Sequence, residues 1–468
     1  DGWYRCSVTF TPSSSGTYFS AIMMSVSGSS TYTGDGTSGV YLWGAHAYRS
    51  DLGGMANNPT TGDSYVPTTS SAVYAPRVGH HVYNGSAWVN EGVLHESEAR
   101  TNSMPRSTDM LNWRALNITA SSSTVTSPSG NQDAILIKPN SASPDRTFFY
   151  DTTQLTNMEA PASASFFAKA SGKDFINLSN GNGTASYGSF NLATGVATVF
   201  LSSYTATMED VGNGWYKCCV TSTAIWNSYF IFGITDVLPV FGSYMQTTVN
   251  GNDGVLLYAP QLEAGSTPSS YIPTSGSAVT RAAETLTVPA ANLPYNSTSM
   301  SIQMDGKMTY ADNSLTAEVQ PYHWQLDNGN YILLRVQTNT TRTGQIALSQ
   351  RAPNSGIDSV TGAIDTYTPD TNVPFNIASR HGSTFINGAH EGTLLTANTT
   401  PTALPDLSST ALELGQTFMG TIGKFRMWDE DLGDTGIVTA SSPSTEPSLQ
   451  LTFDGSSTSS FTVLDWSE

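Results

Sequence analysis

The sequence predicts an all-β fold built from several β-sandwiches in tandem. Three observations carry that prediction. Short apolar segments such as ILIKP, ASFFAKA, FINLS and ATVF are broken roughly every 8–12 residues by Asn-Gly, Thr-Gly or Pro, the spacing of sandwich strands and their turns. A set of motifs recurs in the same order at two places, as a repeated β-domain would give. No stretch holds a 3.6-residue apolar period long enough for a sizeable helix.

The repeat organises the first 283 residues. DGWYRC (Asp1–Cys6) returns as NGWYKC (Asn213–Cys218), GVYLWGA (Gly39–Ala45) as GVLLYAP (Gly254–Pro260), and SYVPTTSSAV (Ser64–Val73) as SYIPTSGSAV (Ser270–Val279). The second copy has over a hundred residues of short strands ahead of its WY-C strand, and the first copy has no counterpart to them. Residues 1–76 therefore read as the C-terminal part of a module, expected to be completed by strands upstream or by pairing with another chain. Residues 77–101 read as a connector carrying a small hairpin over Val82–Val89 with an Asn84-Gly85 turn. Residues 102–283 read as a complete module.

After Arg281 the style changes. MSIQMDGKMTY, HWQLDNGNYILLRVQT, GQIALSQR, FNIASRHG, ALELGQ and MGTIGKFRMW form a third block, residues 284–468. Asp327-Asn328-Gly329-Asn330 and Asn387-Gly388 are its expected hairpin turns.

Composition narrows the function classes. Asp plus Glu number 37 against 19 for Lys plus Arg, a formal net charge of −18. A phosphate-binding surface needs the opposite balance, so nucleic acid is not expected as a partner. No apolar run approaches the roughly 20 residues needed to cross a membrane as a helix, so no insertion is expected. Charged residues make up only 12% while hydrophobic residues reach 38%. That combination is too apolar for disorder and fits an extracellular or virion β-protein kept in solution by hydroxyl and amide groups. Three cysteines, Cys6, Cys218 and Cys219, cannot close a disulfide framework and read as buried free thiols. In a strand, Cys218 and Cys219 face opposite ways, so at most one is expected in the core.

Two segments carry a resemblance. LHESEARTN (Leu94–Asn102), NGWYKC and LYAPQLEAGSTPSSYIPTSGSAVTRAAE (Leu257–Glu284) together resemble the jelly-roll module of phage and prophage head-spike or tail-fibre proteins. The first copy departs from that pattern at His46-Ala47-Tyr48, where the second has Gln261-Leu262-Glu263. FINGAHEGT (Phe385–Thr393), ALELGQ (Ala411–Gln416) and FMGTIGKFRMWDEDL (Phe418–Leu432) resemble a laminin G-like, concanavalin A-type sandwich. The resemblance implies tandem jelly-roll sandwiches followed by a concanavalin A-like sandwich. It also implies a structural, receptor-binding component at the virion surface, on the capsid vertex or the tail, in contact with other virion proteins. Such modules commonly trimerise, which would hide the apolar strand SYFIFGI (Ser228–Ile234). Binding to host surface polysaccharide without turnover is the expected activity. The alternatives are a polysaccharide depolymerase and a secreted bacterial lectin or adhesin.

Candidate chemistry is sparse. GDSY (Gly62–Tyr65) loses its Gly-Asp in the second copy, and no G-x-S-x-G elbow occurs. DED (Asp429–Asp431) alternates faces if extended and reads as a solvated loop. His80-His81 and HESE (His95–Glu98) lack metal-ligand spacing. The chain is therefore not expected to be an enzyme, and no cofactor is expected. Asp35 and Asp253 sit in matching Gly-rich turns of the two copies and are candidate ligands of a structural Ca2+; the other reading is that they only shape the turn. Sugar rings stack on aromatic faces, so Tyr322, His323, Trp324 and Tyr331 around the DNGN turn are glycan-binding candidates. Tyr48, Trp226 and Tyr229 join them from loops of the first two blocks.

Overall fold

The computed structural model describes residue 42 and residues 77–84, 86–140, 146–152, 158, 160–179, 187–223, 229–310, 318–339 and 341–443. The expectations for residues 1–76, with Asp35, Tyr48 and Cys6, and that for Trp226, lie outside the described residues, as does the closure of the first repeat copy.

The strands fall into three runs. The first is a hairpin of β1 (Arg77–Tyr83) and β2 (Trp88–Glu96). The second holds β3 (Arg100–Asn102), β4 (Arg114–Leu116), β5 (Ile118–Ser122), β6 (Ile135–Pro139), β7 (Phe148–Tyr150), β8 (Ala162–Ser171) and β9 (Phe175–Ser179), then β10 (Gly188–Asn191), β11 (Val196–Val199), β12 (Tyr204–Asp210), β13 (Trp215–Ser222), β14 (Ile231–Thr235), β15 (Gly254–Ala264) and β16 (Val279–Arg281). The third holds β17 (Leu286–Val288), β18 (Ser299–Met308), β19 (Glu318–Asp327), β20 (Asn330–Gln337), β21 (Ile346–Arg351), β22 (Asp358–Thr361), β23 (Val373–Gly382), β24 (Ile386–His390), β25 (Thr393–Leu394), β26 (Leu412–Gln416) and β27 (Met419–Trp428), then helix α1 (Gly433–Ser441).

The middle run forms two six-stranded sheets, ordered β12-β13-β8-β15-β6-β5 and β11-β10-β9-β14-β7-β4. Every ladder within them is antiparallel. Successive strands β6 to β9 alternate between the two sheets, an interleaving consistent with a jelly roll. Aromatic rings fill the space between the sheets: Phe166 meets Phe232 at 4.7 Å and Phe190 at 5.4 Å, and Trp113 meets Phe149 at 5.3 Å. Phe230, Ile231, Phe232 and Ile234 are all buried in their own module. The apolar surface expected from SYFIFGI is therefore already covered, and it gives no reason for a trimer.

The WY-C strand β13 behaves as alternation demands. Cys218 and Val220 face the main core, while Trp215 joins a satellite cluster with Ala134 and Leu256. The Trp215 indole N–H donates to Thr126 O at 3.0 Å, which satisfies its one donor. Both Cys218 and Cys219 are buried free thiols. Burial pushes both thiols up, Cys219 to about 11, so neither is a nucleophile at neutral pH.

The third run and the hairpin form one sandwich. Its sheets run β1-β2-β27-β18-β23-β24-β25 and β17-β26-β19-β20-β21-β22. Met300, Ile302 and Met304 from β18 meet Ile332, Leu334, Leu348 and Leu412 across the core. The DNGN turn closes β19 onto β20 as expected, with Asp327 Oδ1 accepting the Gly329 N–H at 2.7 Å. Asn387-Gly388 is no turn: both lie inside β24, and the chain reverses at Glu391-Gly392, where φ is +47° and +75°. Helix α1 had no signature in the sequence, with no side-chain cap at its start. Ile437 forms it by docking on Ala378 and Ala389.

The expected connector is therefore part of the last sandwich. The hairpin itself is as read, with Asn84 Oδ1 accepting from Ser86 N and Ala87 N at 3.0 and 2.9 Å. But β2 pairs with β27, Val93 opposite Ile422 and Glu96 opposite Met419. Gly92 makes the approach close. Its φ is +93°, and a Cβ there would sit 2.1 Å from Ile422 O. Gly92→Ala is expected to lower stability by about 1–3 kcal/mol and to speed amide exchange selectively in β1 and β2. Unchanged protection in β2 would refute that account of the contact.

At the junction of the two sandwiches lies a buried polar web. Glu96, at the end of β2, accepts from Arg77 and Arg281 at 2.6 Å each and from Ser270 N at 2.7 Å. Glu284 closes the ring, with its carboxylate 2.7 Å from Arg77 Nε and from Glu96 N. Behind it, Gln261 Nε2 donates to Glu263 Oε1 at 2.8 Å, Ser269 N donates to the same carboxylate at 2.7 Å, and Ile272 N donates to Gln261 Oε1 at 2.7 Å. A bulge sets this up: Ala259 and Pro260 stand against one residue of β8, and Ala259 has φ +52°. The Gln-Leu-Glu and Ser-Tyr-Ile segments are thus bound to each other inside the protein.

Candidate functional site

The sequence candidates do not converge. Tyr322 and Trp324 point into the core of the last sandwich and are fully buried. Tyr322 Oη lies 2.7 Å from Ser379 Oγ, and the Trp324 indole donates to Thr410 O at 2.8 Å. Neither can stack on a ligand; alternation along β19 sends them inward and His323 outward. His323 is half-buried, with Nδ1 2.7 Å from Gln416 Oε1. Tyr331 stands opposite Gln325 on the same outer face. Tyr229 belongs to the other module, packed edge-on against Tyr150 at 5.2 Å. Asp253 lies in a turn: Asn250 Nδ2 donates to its carboxylate, and Asn250 Oδ1 accepts the Asp253 N–H at 2.9 Å. Among the described residues no three His, Cys, Asp or Glu side chains gather as metal ligands.

A shallow depression lies elsewhere in the same sandwich. An open groove of 300 Å³ lies on the seven-stranded sheet. Glu91 enters from β2, Asp305, Gly306 and Lys307 from β18, and Pro374, Phe375 and Asn376 from β23; Glu391 and Thr421 complete the lining. The local sequence explains the depression. Between Asp305 and Gly306 the register against β27 shifts, leaving Gly423 as the extra residue. Gly423 has no side chain where Asp305 lies: a Cβ there would come within 2.5 Å of Asp305 Oδ1. Gly306 likewise leaves room for the Thr421 carbonyl, which a Cβ would meet at 2.0 Å.

The polar groups are mutually braced. Gln303, fully buried and two residues before Asp305 on the same face of β18, donates Nε2 to Asp305 Oδ2 at 3.2 Å and to Asn376 Oδ1 at 2.8 Å. Asn376 N donates to Glu391 Oε1 at 2.7 Å, and Tyr367 Oη donates to the same oxygen at 3.2 Å. Asn376 Nδ2 donates to Ser442 O at 3.2 Å. The Lys307 ammonium is paired with Glu91. Burial pushes the Asp305 carboxyl above the ordinary carboxylate range, against the pull of Lys424, Gln303 and Arg426. Partial burial and the Asp305 charge push Glu391 up as well. None of these side chains stood out by motif.

A hydrolase-like constellation does occur elsewhere. Ser379 Oγ lies 3.1 Å from His381 Nε2, and His381 Nδ1 lies 3.3 Å from Gln350 Oε1. All three are fully buried, and burial pulls the imidazole down to about 3, so it is neutral. With Tyr322 they satisfy one another inside the core, and no substrate can reach them. The DED loop, Asp429–Asp431, is exposed, with Asp431 paired to Arg380 at 3.1 Å. Among the described residues no helix is long and apolar enough to cross a membrane.

No protein-family model matches the chain, and no curated protein matches it. Among solved structures it is similar to the binding domain of botulinum neurotoxin DC in complex with SialylT, at 12% identity and a TM-score of 0.25 over 31% of this chain. The chain spans about a third of that protein's length, 35%. It is similar to the Ruminococcus gnavus IT-sialidase CBM40, at 14% identity and a TM-score of 0.25, over 34% of this chain and 96% of that one. It is also similar to mouse laminin alpha1 chain domains LG4-5, at 10% identity and a TM-score of 0.22, over 64% and 93%. Likeness at this level does not bear on ligand or activity. The chain is an all-β protein of antiparallel sheets arranged as sandwiches, consistent with jelly-roll and concanavalin A-like architecture.

Proposed function

We propose that the protein binds glycan without turning it over, as a lectin or adhesin does, through the groove on the seven-stranded sheet. The observation that carries this reading is the groove itself: an open depression whose carboxylate, amide and hydroxyl groups are held in place by Gln303, Tyr367 and a bulge. Sugars are recognised by such fixed acceptors and amides over a shallow surface, and preorganisation cuts the ordering cost of weak polar contacts. The resemblance to spike and fibre modules supports a virion setting, with host surface polysaccharide as the receptor. The Gln-Leu-Glu and Ser-Tyr-Ile segments that carry it have a structural task at the module junction, so the binding reading does not depend on that setting.

The test is calorimetric titration or a glycan array with the full chain and its Asp305→Asn variant. Loss of a charge-assisted acceptor is worth about 1.5–3 kcal/mol, so affinity should fall by about tenfold or more, with the melting temperature held within a few degrees. Equal affinity in the variant would place the site elsewhere. Incubation with capsule or lipopolysaccharide should leave chain length unchanged; released oligosaccharide would favour a depolymerase.

A further inference from the structure

We propose that the groove selects neutral glycan and turns away glycan bearing carboxylate, sulfate or phosphate. This rests on the binding reading above and concerns the ligand class of the same site. The argument is an inventory of hydrogen-bonding capacity. Each bound sugar hydroxyl can donate or accept, but an acidic substituent only accepts, and it needs a cation or a free N–H.

The groove offers few donors. Its one lining cation, Lys307, is already paired with Glu91. Asn376 has committed its backbone N–H to Glu391 and one of its two side-chain amide N–H groups to Ser442. Acceptors are in surplus. Asp305 Oδ2 accepts from Gln303 at 3.2 Å and the carboxylate takes one backbone N–H, from Lys424, which leaves lone pairs over. The Asn376 N–H and the Tyr367 hydroxyl both donate to Glu391 Oε1. Lys424 and Arg426 stand on β27 opposite Asp305 and Gln303, but they are not part of the lining. A neutral sugar brings hydroxyl donors to this surface. An anionic one brings a second set of acceptors and a like charge next to Asp305 and Glu391, which costs affinity.

The experiment uses the full chain on an array of glycans in matched pairs, such as lactose with 3′-sialyllactose and galacto- with galacturono-oligosaccharides. Neutral members should bind at least about tenfold tighter than their acidic counterparts. Glu91→Gln frees the Lys307 ammonium and should narrow that ratio severalfold. If Glu91→Gln loosens the hairpin, Glu391→Gln serves instead: it keeps the shape, removes a charge and should narrow the ratio too. Acidic members binding as well as or better than neutral ones would overturn the selectivity and leave glycan binding standing. Binding to no member would overturn both. An unchanged ratio in both variants would overturn the role given to the groove charges.

Discussion

Glu96→Ala is expected to destabilise the protein by about 3–5 kcal/mol, the usual result of removing one partner from a buried ion pair. The cause is what remains. Arg77 and Arg281 both reach Glu96 at 2.6 Å, and without it two guanidinium groups share one buried site. Burial alone would raise the Glu96 carboxyl, but the charges of Arg77 and Arg281 and the bonds from Ser270 outweigh it and hold it at about 2. The sign of the pH dependence follows. A carboxyl depressed on folding stabilises at pH above its ordinary value of 4.5, and that stability is lost as pH falls through about 2. The window is worth about 3 kcal/mol at 1.36 kcal/mol per unit. Urea denaturation of the two proteins should therefore show a large gap at pH 7 that closes between about pH 4.5 and pH 2. A gap below about 1 kcal/mol at pH 7 would mean that the pair behaves as a solvated surface bridge.

Trp324→Ala should cost about as much, roughly 3–5 kcal/mol, by leaving a cavity where a fully buried indole stood. It packs edge-on against Tyr295 at 6.0 Å and anchors Thr410 through its N–H. Glycan affinity, measured well below the lowered melting temperature, should not change. The opposite pattern, lost binding with intact stability, would restore Trp324 to the sugar-stacking role its place beside the DNGN turn suggested. The two outcomes separate a core residue from a ligand platform without ambiguity.

The strands were legible because their signals are local. ILIKP alternates buried and half-buried along β6, and Asp327 to Asn330 carries its own turn chemistry. Alternation puts Tyr322 and Trp324 on one face and His323 on the other, but it does not say which face is buried, so all three stood as glycan-binding candidates. What could not be read was pairing at long range. Nothing in VNEGVLHE says that its neighbour is TIGKFRMW, because a strand edge offers the same N–H and C=O groups to any partner. The groove was hidden for the same reason: Glu91, Asp305, Asn376 and Glu391 come from four segments brought together only by that pairing. Asn387-Gly388 misled because Gly388 serves a different need there, leaving space for Leu348, which a Cβ would meet at 2.0 Å. Helix α1 escaped because a nine-residue segment with two glycines has little intrinsic helicity and depends on docking.

The pairing of β2 with β27 also governs the order in which the molecule can be assembled. When β2 leaves the ribosome its neighbour is more than three hundred residues from being made, while the intervening module can close as soon as β16 appears. That module then acts as a splint, its first and last strands, β3 and β16, paired side by side and so returning the chain close to where it left. A fragment beginning after β2 would have every residue of the last block and yet present β27 as a bare edge, open to pairing with another chain.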